Sequence, residues 1–443
     1  MVAPKATSAY APSSLRAPIE ALLPRLGIHR GYDDVPALGK AVATLSASYN
    51  TAGVAAGKAH YAARLAFSLP RDVPKAAHAV RELVAAKALT FPEGRPLRIL
   101  DVGAGFGATT LGALQALEGA APGEGRGKVE VTLVDPEEGA TALAKTFLEG
   151  LKGSFDLKVV VSKHGISPDG SIQPDLLPWF GDEPFGFAEA SAKAHPERAE
   201  SMRAAGKPST FRPVKEGQGF DLVLFGQVLS ELDRGLDSDA RIARHVALLE
   251  RVLATRLAPK GTLVVVEPAL KERTRHLHAV RDRLCTNESV TLFGPCLHRE
   301  ACPALAKETD WCHEDRPDVL PAWLVPVARA AGLRWEGVTF SPLLLRKDGV
   351  TLRSTLATNG NRTLRVVGDV TPTKGKVEAQ VCGDGPEGEG PQRVRVMRID
   401  RDRRENNEAF DELSRGDLVV LEGPMVRPDR IGPETTVSRA NPV

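Results

Sequence analysis

From Pro96 onward the chain alternates short apolar runs with helical stretches, and few folds satisfy that alternation. LRILDVG, VEVTLVD, LKVVVS, FDLVLFG and GTLVVVEP are each long enough for one buried strand, and helix-like segments such as EGATALAKTFLEGL and ARIARHVALLERVLAT stand between them. Continuous apolar runs alternating with helices describe a mostly parallel, doubly wound sheet covered on both faces. This α/β domain is expected over residues 91–350, with LRWEGVTFSPLLLRKDG as a closing hairpin. An insertion at 163–218, rich in Pro, Gly and charge, holds one expected helix (AEASAKAHPERAESMRAAG), and a cysteine segment follows at 285–315. Residues 1–90 read as a helical region, because apolar positions recur three and four apart in IEALLPRLG, ALGKAVATLSASYNTAG and VPKAAHAVRELVAAKAL. Residues 351–443 read as a small β domain (TLRVVGDV, KVEAQVCGDG, QRVRVMRI, GDLVVLEG) that could close as an OB-like barrel.

At 443 residues, two or three domains are expected. A net charge of +2 leaves any nucleic-acid contact to local patches. No apolar run is long enough to span a membrane, so no membrane contact is expected. The N-terminal MVAPKATSAYAPSSLRAP has neither a signal-peptide core nor repeated arginines, and reads as a frayed tail on a cytoplasmic protein, a monomer when free. Five cysteines in so long a chain are no disulfide framework; clustered ones in a reducing compartment point to metal.

The first strand runs into Asp101-Val-Gly103-Ala104-Gly105-Phe-Gly107, and a helix follows. Glycines there allow close backbone approach to a ligand at a helix N-terminus. The second strand ends in Asp135, placed to accept hydrogen bonds from ribose hydroxyls. Two cofactors compete. Gly103, Gly105 and Ala108 satisfy the dinucleotide fingerprint. The DVGAGFG form, however, resembles motif I of class I methyltransferases, a Rossmann-like fold that binds S-adenosyl-L-methionine (AdoMet), and the helical leader fits that class better. The fourth strand ends in FGQVLSEL, placing Gln227 and Ser230 on the acceptor side. Gln227 could orient a substrate, although a satisfied polar residue at a strand end is the simpler reading. The Asn/Asp-Pro-Pro-aromatic motif of base amino-methylating enzymes does not occur there. No cysteine precedes residue 285, so covalent catalysis from that strand is excluded.

GPCLHREACPALAKETDWCHED carries Cys296, Cys302 and Cys312 at the spacing C-x5-C-x9-C. Zinc sites favour closer pairs, although His298 or His313 could complete a Cys3His set. Iron–sulfur clusters tolerate more varied spacings, and Cys302-Pro303 has a ferredoxin-like form. Cys382, in the VCGDG of the β domain, is the available fourth thiolate, whereas Cys285 follows a helical face of Leu277, Val280 and Leu284 and reads as a buried thiol.

Together these motifs resemble the mitochondrial ribosomal small-subunit methyltransferase-like proteins and their bacterial relatives. The resemblance spans roughly residues 45 to 420 and rests on LDVGAG (100–105), LVLFGQVLSEL (222–232), LVVVE (263–267), GPCLH (294–298), Cys302-Pro303, Trp311-Cys312-His313, VCGDG (381–385) and RGDL (415–418). It implies an AdoMet-type fold, association with small-subunit ribosomal RNA during assembly, and a [4Fe-4S] cluster on Cys296, Cys302, Cys312 and Cys382. Two segments depart from the family: Glu314-Asp315-Arg316 stands where Phe and a Gln-Arg pair are usual, and Phe67-Ser-Leu-Pro70 replaces Pro-Ala-Thr-Tyr.

Three functions remain open to the residues: an rRNA methyltransferase, an RNA-binding assembly factor that keeps the fold without robust turnover, and a small-molecule methyltransferase with structural zinc. In QRVRVMRIDRDRR six arginines face two aspartates, and Arg393 and Arg395 would share one strand face suited to phosphates. A solvated strand face is the competing reading of those two.

Overall fold

The computed structural model describes residues 8–51, 57–120, 127–162, 218–335, 337–356, 361–385 and 389–440; the expected helix of the 163–218 insertion lies outside them. The central sheet has the strand order β3-β2-β1-β4-β5-β8-β6. β1 (Leu97–Val102), β2 (Gly127–Val134), β3 (Phe155–Val161), β4 (Phe220–Gly226) and β5 (Leu257–Pro268) run parallel. β8 (Val338–Arg346) is antiparallel between β5 and the short β6 (Thr291–Gly294). Five parallel strands with the order reversing at β1/β4, closed by one antiparallel strand between the fifth and sixth, is the class I methyltransferase sheet. The expected closing hairpin is this single strand β8, whose neighbours come from elsewhere in the chain. β7 (Glu314–Arg316) adds to the edge of β8, so the cysteine segment is the link from β6 to β7.

The helical leader packs on this sheet. Helix α1 (Val35–Thr51) is followed by a π-helical turn at Arg64–Ser68 and by α2 (Leu69–Ala85). α2 crosses α3 (Ala108–Leu117) closely enough that a Cβ on Gly112 would lie 2.4 Å from the Val73 carbonyl oxygen, so only glycine fits there. The segment expected to be a frayed tail is docked where it is described: Tyr10 is 1% exposed and stacks on Phe155, and Leu15 is fully buried. α4 (Glu138–Gly150), α5 (Ser238–Thr255) and α6 (Lys271–Leu284) cover the remaining strands.

The C-terminal sheet joins β9 (Arg362–Thr373), β10 (Lys376–Gly383) and β11 (Gln392–Ile399) as a meander. β12 (Leu418–Glu422) returns beside β9; β13 (Arg430–Ile431) pairs in parallel with β11 and β14 (Thr436–Arg439) antiparallel with β12. β13 and β14 act as two halves of one fifth strand, which brings the sheet round on itself. A helical turn at Glu405–Glu412 sits between the third and fourth strands, as in an OB-type barrel.

Three parts of the chain meet at Arg365. This buried residue of β9 bonds Glu314 of the cysteine segment through Nε at 3.0 Å and pairs with Glu82 of α2 through Nη2. All three side chains are at most 7% exposed. Arg365→Met would leave Glu82 buried without its cation and Glu314 with Arg316 alone, and should destabilise the fold by about 3–5 kcal/mol. Denaturant unfolding followed by tryptophan fluorescence checks this: an unchanged midpoint contradicts the role, and Glu82→Gln in the same chain should recover part of the loss.

Candidate functional site

The loop after β1 contains three left-handed glycines, Gly103 (φ +69), Gly105 (φ +49) and Gly107 (φ +86), which turn the chain from β1 into α3. A Cβ on Gly103 would stand 2.3 Å from Val228 Cγ2, so this glycine lets the loop and the end of β4 lie side by side. Beneath the loop Asp101 is fully buried; its Oδ2 accepts from Thr110 N–H and Thr110 Oγ1, at 3.1 and 2.6 Å, while Oδ1 has no partner among the described residues. Asp135 accepts the N–H groups of Gly105 and Glu137, each at 2.9 Å, which ties the end of β2 to the glycine loop. Ala104 N–H donates to the Val134 carbonyl beside it.

The surroundings are acidic. Burial pushes the Asp101 carboxyl up to about 7 and also raises those of Asp135 and Glu231. The cation shared by Asp135 and Glu231 is Arg64 of the leader's π-turn, which sits 3.0 Å from where a Gly105 Cβ would be, lies over the Phe106 ring and is ion-paired with Glu137. Sequence reasoning reached Asp101 and Asp135 but not Glu231 or Glu137. Arg64 stands in the helical leader, where no local pattern in the sequence links it to the glycine loop.

Gln227 ends β4 in a left-handed conformation (φ +62), and its Nε2 donates to Asp72 Oδ2 at 3.2 Å. Burial works against ionisation of Asp72, but Arg71 and Lys75 hold it below the usual carboxylate range. Gln227 therefore sits on the wall of a cleft of about 770 Å³ between the leader, the end of β5 and the segment around Trp311 and His313. Ser230 turns away from it: its N–H donates to Glu267 Oε2.

The cysteine segment has little regular structure, and α6 supplies its hydrogen bonds. One face of α6 presents Arg275, His278 and the adjacent Arg281-Asp282 at helical spacing. Arg275 donates to the carbonyls of Lys307 and Asp310, at 2.7 Å each, His278 Nε2 to that of Cys312 at 2.8 Å, and Arg281 to those of His298 and Glu300; Asp282 accepts Cys302 N–H at 2.9 Å. Held in this way, Cys296, Cys302 and Cys312 line one cavity together with Cys382 of β10. Cys285, at the end of α6, does not line it. Burial raises all four lining thiols, Cys382 to about 12, and the charge of neighbouring thiols adds to this at Cys296, Cys312 and Cys382. His298 Nε2 lies 3.8 Å from Cys382 Sγ, whereas His313 faces the cleft, stacked on Trp311 and bonded to Arg415. Among the described residues no group of three or more His, Cys, Asp or Glu is placed to hold a metal ion.

The two arginines expected on one RNA-facing strand part company. Arg393 stands opposite Cys382 in the β10–β11 register, lines the cysteine cavity and is ion-paired with Asp310; Arg395 is exposed. The spacing puts both on one face of β11, but the cysteine segment covers the Arg393 end.

The Asp101 shift has a consequence for stability. Because its folded-state value is raised, the folded chain keeps a proton that the unfolded chain releases between about pH 4 and about pH 7, so this contribution is fully present at the acid end and is lost as pH rises through 7. The parent should therefore lose stability relative to Asp101→Asn across that window, by up to about 1.4 kcal/mol per pH unit. Parallel stability–pH curves for the two proteins would contradict it.

With the geometry in place, comparison with known proteins adds a family. No curated protein matches the chain. The plantazolicin methyltransferase BpumL in complex with SAH shares 9% identity at a TM-score of 0.31, over 71% of this chain and 97% of that one. A SAM-dependent methyltransferase of Leishmania major shares 13% at a TM-score of 0.29, over 72% and 84%. At such scores the sheet order, not the superposition, carries the fold. A family model described as mitochondrial small ribosomal subunit Rsm22 matches residues 189–394, a span that runs from β4 to the start of β11 and takes in all five cysteines. Over that span the chain matches the mitochondrial small ribosomal subunit Rsm22 family, the family its cysteine and glycine motifs resemble.

Proposed function

We propose that this protein binds AdoMet on the glycine loop and acts on small-subunit ribosomal RNA during assembly, as a methyltransferase or as a factor that keeps the methyltransferase fold. The observation that carries the cofactor is the sign of the charge around the loop. Asp101, with one unpartnered oxygen, Asp135 and Glu231 gather at the switch point of the sheet, and Arg64 is already ion-paired with Glu137. A dinucleotide would bring an anionic pyrophosphate against these carboxylates. AdoMet would bring an ammonium and a sulfonium, which favour the ionised form that burial opposes in these carboxyls, whereas an anion would oppose it further. AdoMet supplies an activated methyl group when bound. The chain's own part is to bind the ribose at Asp135, whose carboxylate keeps lone pairs beyond the two amides it accepts, and to orient an acceptor beside Gln227.

The ribosomal reading rests on the family match and on the motif resemblance. We also propose that Cys296, Cys302, Cys312 and Cys382 hold a [4Fe-4S] cluster. Its support is the convergence of four thiols from two domains on one cavity that leaves Cys285 outside. A cubane spreads its thiolates over separate irons, so its ligands need not crowd into the shell of about 2.3 Å around a single zinc.

Calorimetric titration with AdoMet tests the cofactor. Asp135→Ala should weaken binding by about 1–3 kcal/mol, since the ribose loses its charged acceptor. Equal affinity in mutant and parent would remove Asp135 from the site, and tighter binding of NAD than of AdoMet would replace the cofactor. Radiolabelled methyl transfer to small-subunit rRNA then separates an enzyme from an assembly factor.

A further inference from the structure

We propose that the cleft of about 770 Å³ beside Gln227 takes one unpaired nucleotide of a single-stranded RNA, with its base against aromatic rings and its two flanking phosphates on guanidinium groups; this rests on the RNA reading above. The volume is that of a small-ligand site. Aromatic residues make up only 5% of the chain, yet Tyr49, Trp311 and Trp335, two of the four tryptophans among them, line this one cleft, while Phe67 is buried in its wall beneath the Arg71 guanidinium. A base has two flat faces and such rings stack on them, which a duplex cannot exploit because its bases already stack on each other.

The charge on the lining selects among flat ligands. Arg273 and the exposed Arg334 both line the cleft, and Arg71 and Lys75 share the single Asp72 carboxylate behind the wall, while Asp315 is the only acid among the described lining residues. That surplus of cations favours a ligand that joins an aromatic ring to an anion, which describes a nucleotide and not a neutral or cationic heterocycle. Position supports the same occupant. Gln227 offers an amide with both donor and acceptor character at the end of β4, and the adjoining Val228 touches the glycine loop at Gly103. A base lying there would have its edge on Gln227 and would neighbour the proposed cofactor loop, from which it is separated by the end of β4.

The test is a fluorescence-anisotropy titration of the full chain with a labelled single-stranded hexaribonucleotide, alongside a duplex of the same sequence. The hexamer should bind in preference to the duplex. Trp335→Ala should weaken hexamer binding roughly five- to a hundredfold through loss of one stacking partner. Replacing Arg273 and Arg334 together by Ala should lower the slope of log affinity against log salt by about 1.4, two phosphate contacts on a single strand. Thermal unfolding of each variant reports the fold; because Trp335 Nε1 also donates to the Asp318 carbonyl, a lowered melting point in Trp335→Ala hands the decision to the arginine pair. Parental hexamer affinity and salt slope in folded variants, or equal binding of the duplex, overturns the cleft. If those variants still bind small-subunit rRNA, the ribosomal reading survives that loss, whereas a parent protein that binds neither hexamer nor rRNA overturns both.

Discussion

A single buried guanidinium connects the three parts of this molecule. Arg365 leaves the barrel at β9, reaches Glu314 next to the cysteine segment and ends on Glu82 of the leader helix. Charges so far from water are costly to bury and cost more to leave unpaired, so the three elements are held to one arrangement. Weaker ties follow the same seam: Arg393 with Asp310, Arg316 with the Arg415 carbonyl at 2.8 Å, and Arg353 with Asp384. Only when the barrel is docked does Cys382 come to the cavity lined by the other three cysteines.

That docking places two sites back to back. Cys312 lines the cysteine cavity, and the residues on either side of it, Trp311 and His313, line the cleft beside Gln227. In an extended segment neighbouring side chains point to opposite sides, so three consecutive residues serve both walls. The cleft is bounded on its far side by the leader, whose π-turn also carries Arg64 to the glycine loop. π-turns recur where a helix must present a side chain out of its normal register. The leader thus bounds both the glycine loop and the cleft.

Much of this was legible in the residues, and the exceptions have physical reasons. β1, β2, β4 and β5 announce themselves as largely apolar runs because both faces of a parallel sheet are covered, and the glycine loop with Asp101 and Asp135 is a local pattern. β6 is four residues long and pairs only with a strand some fifty positions later, so LRWEGVTFSPLLLRKDG resembles a hairpin although only Val338–Arg346 forms a strand. The Pro- and Ser-rich N-terminus reads as a tail because composition does not show that Tyr10 finds Phe155. Alternation places Arg393 and Arg395 on one face correctly, but cannot show that Asp310 covers one of them. The cleft is invisible in sequence, since its rings come from positions 49, 311 and 335 and no local pattern links them.

The proposed iron–sulfur cluster would join the barrel to the methyltransferase-like domain, and elemental analysis tests it most directly. Protein purified without oxygen should carry iron and acid-labile sulfide in equal amounts, about four of each per chain, with the brown absorbance near 400 nm of such clusters. Cys382→Ser should lose most of both, and Cys285→Ser, which changes a thiol outside the cavity, should keep them. Stoichiometric zinc without sulfide in the parent, or full iron and sulfide in Cys382→Ser, would contradict the account.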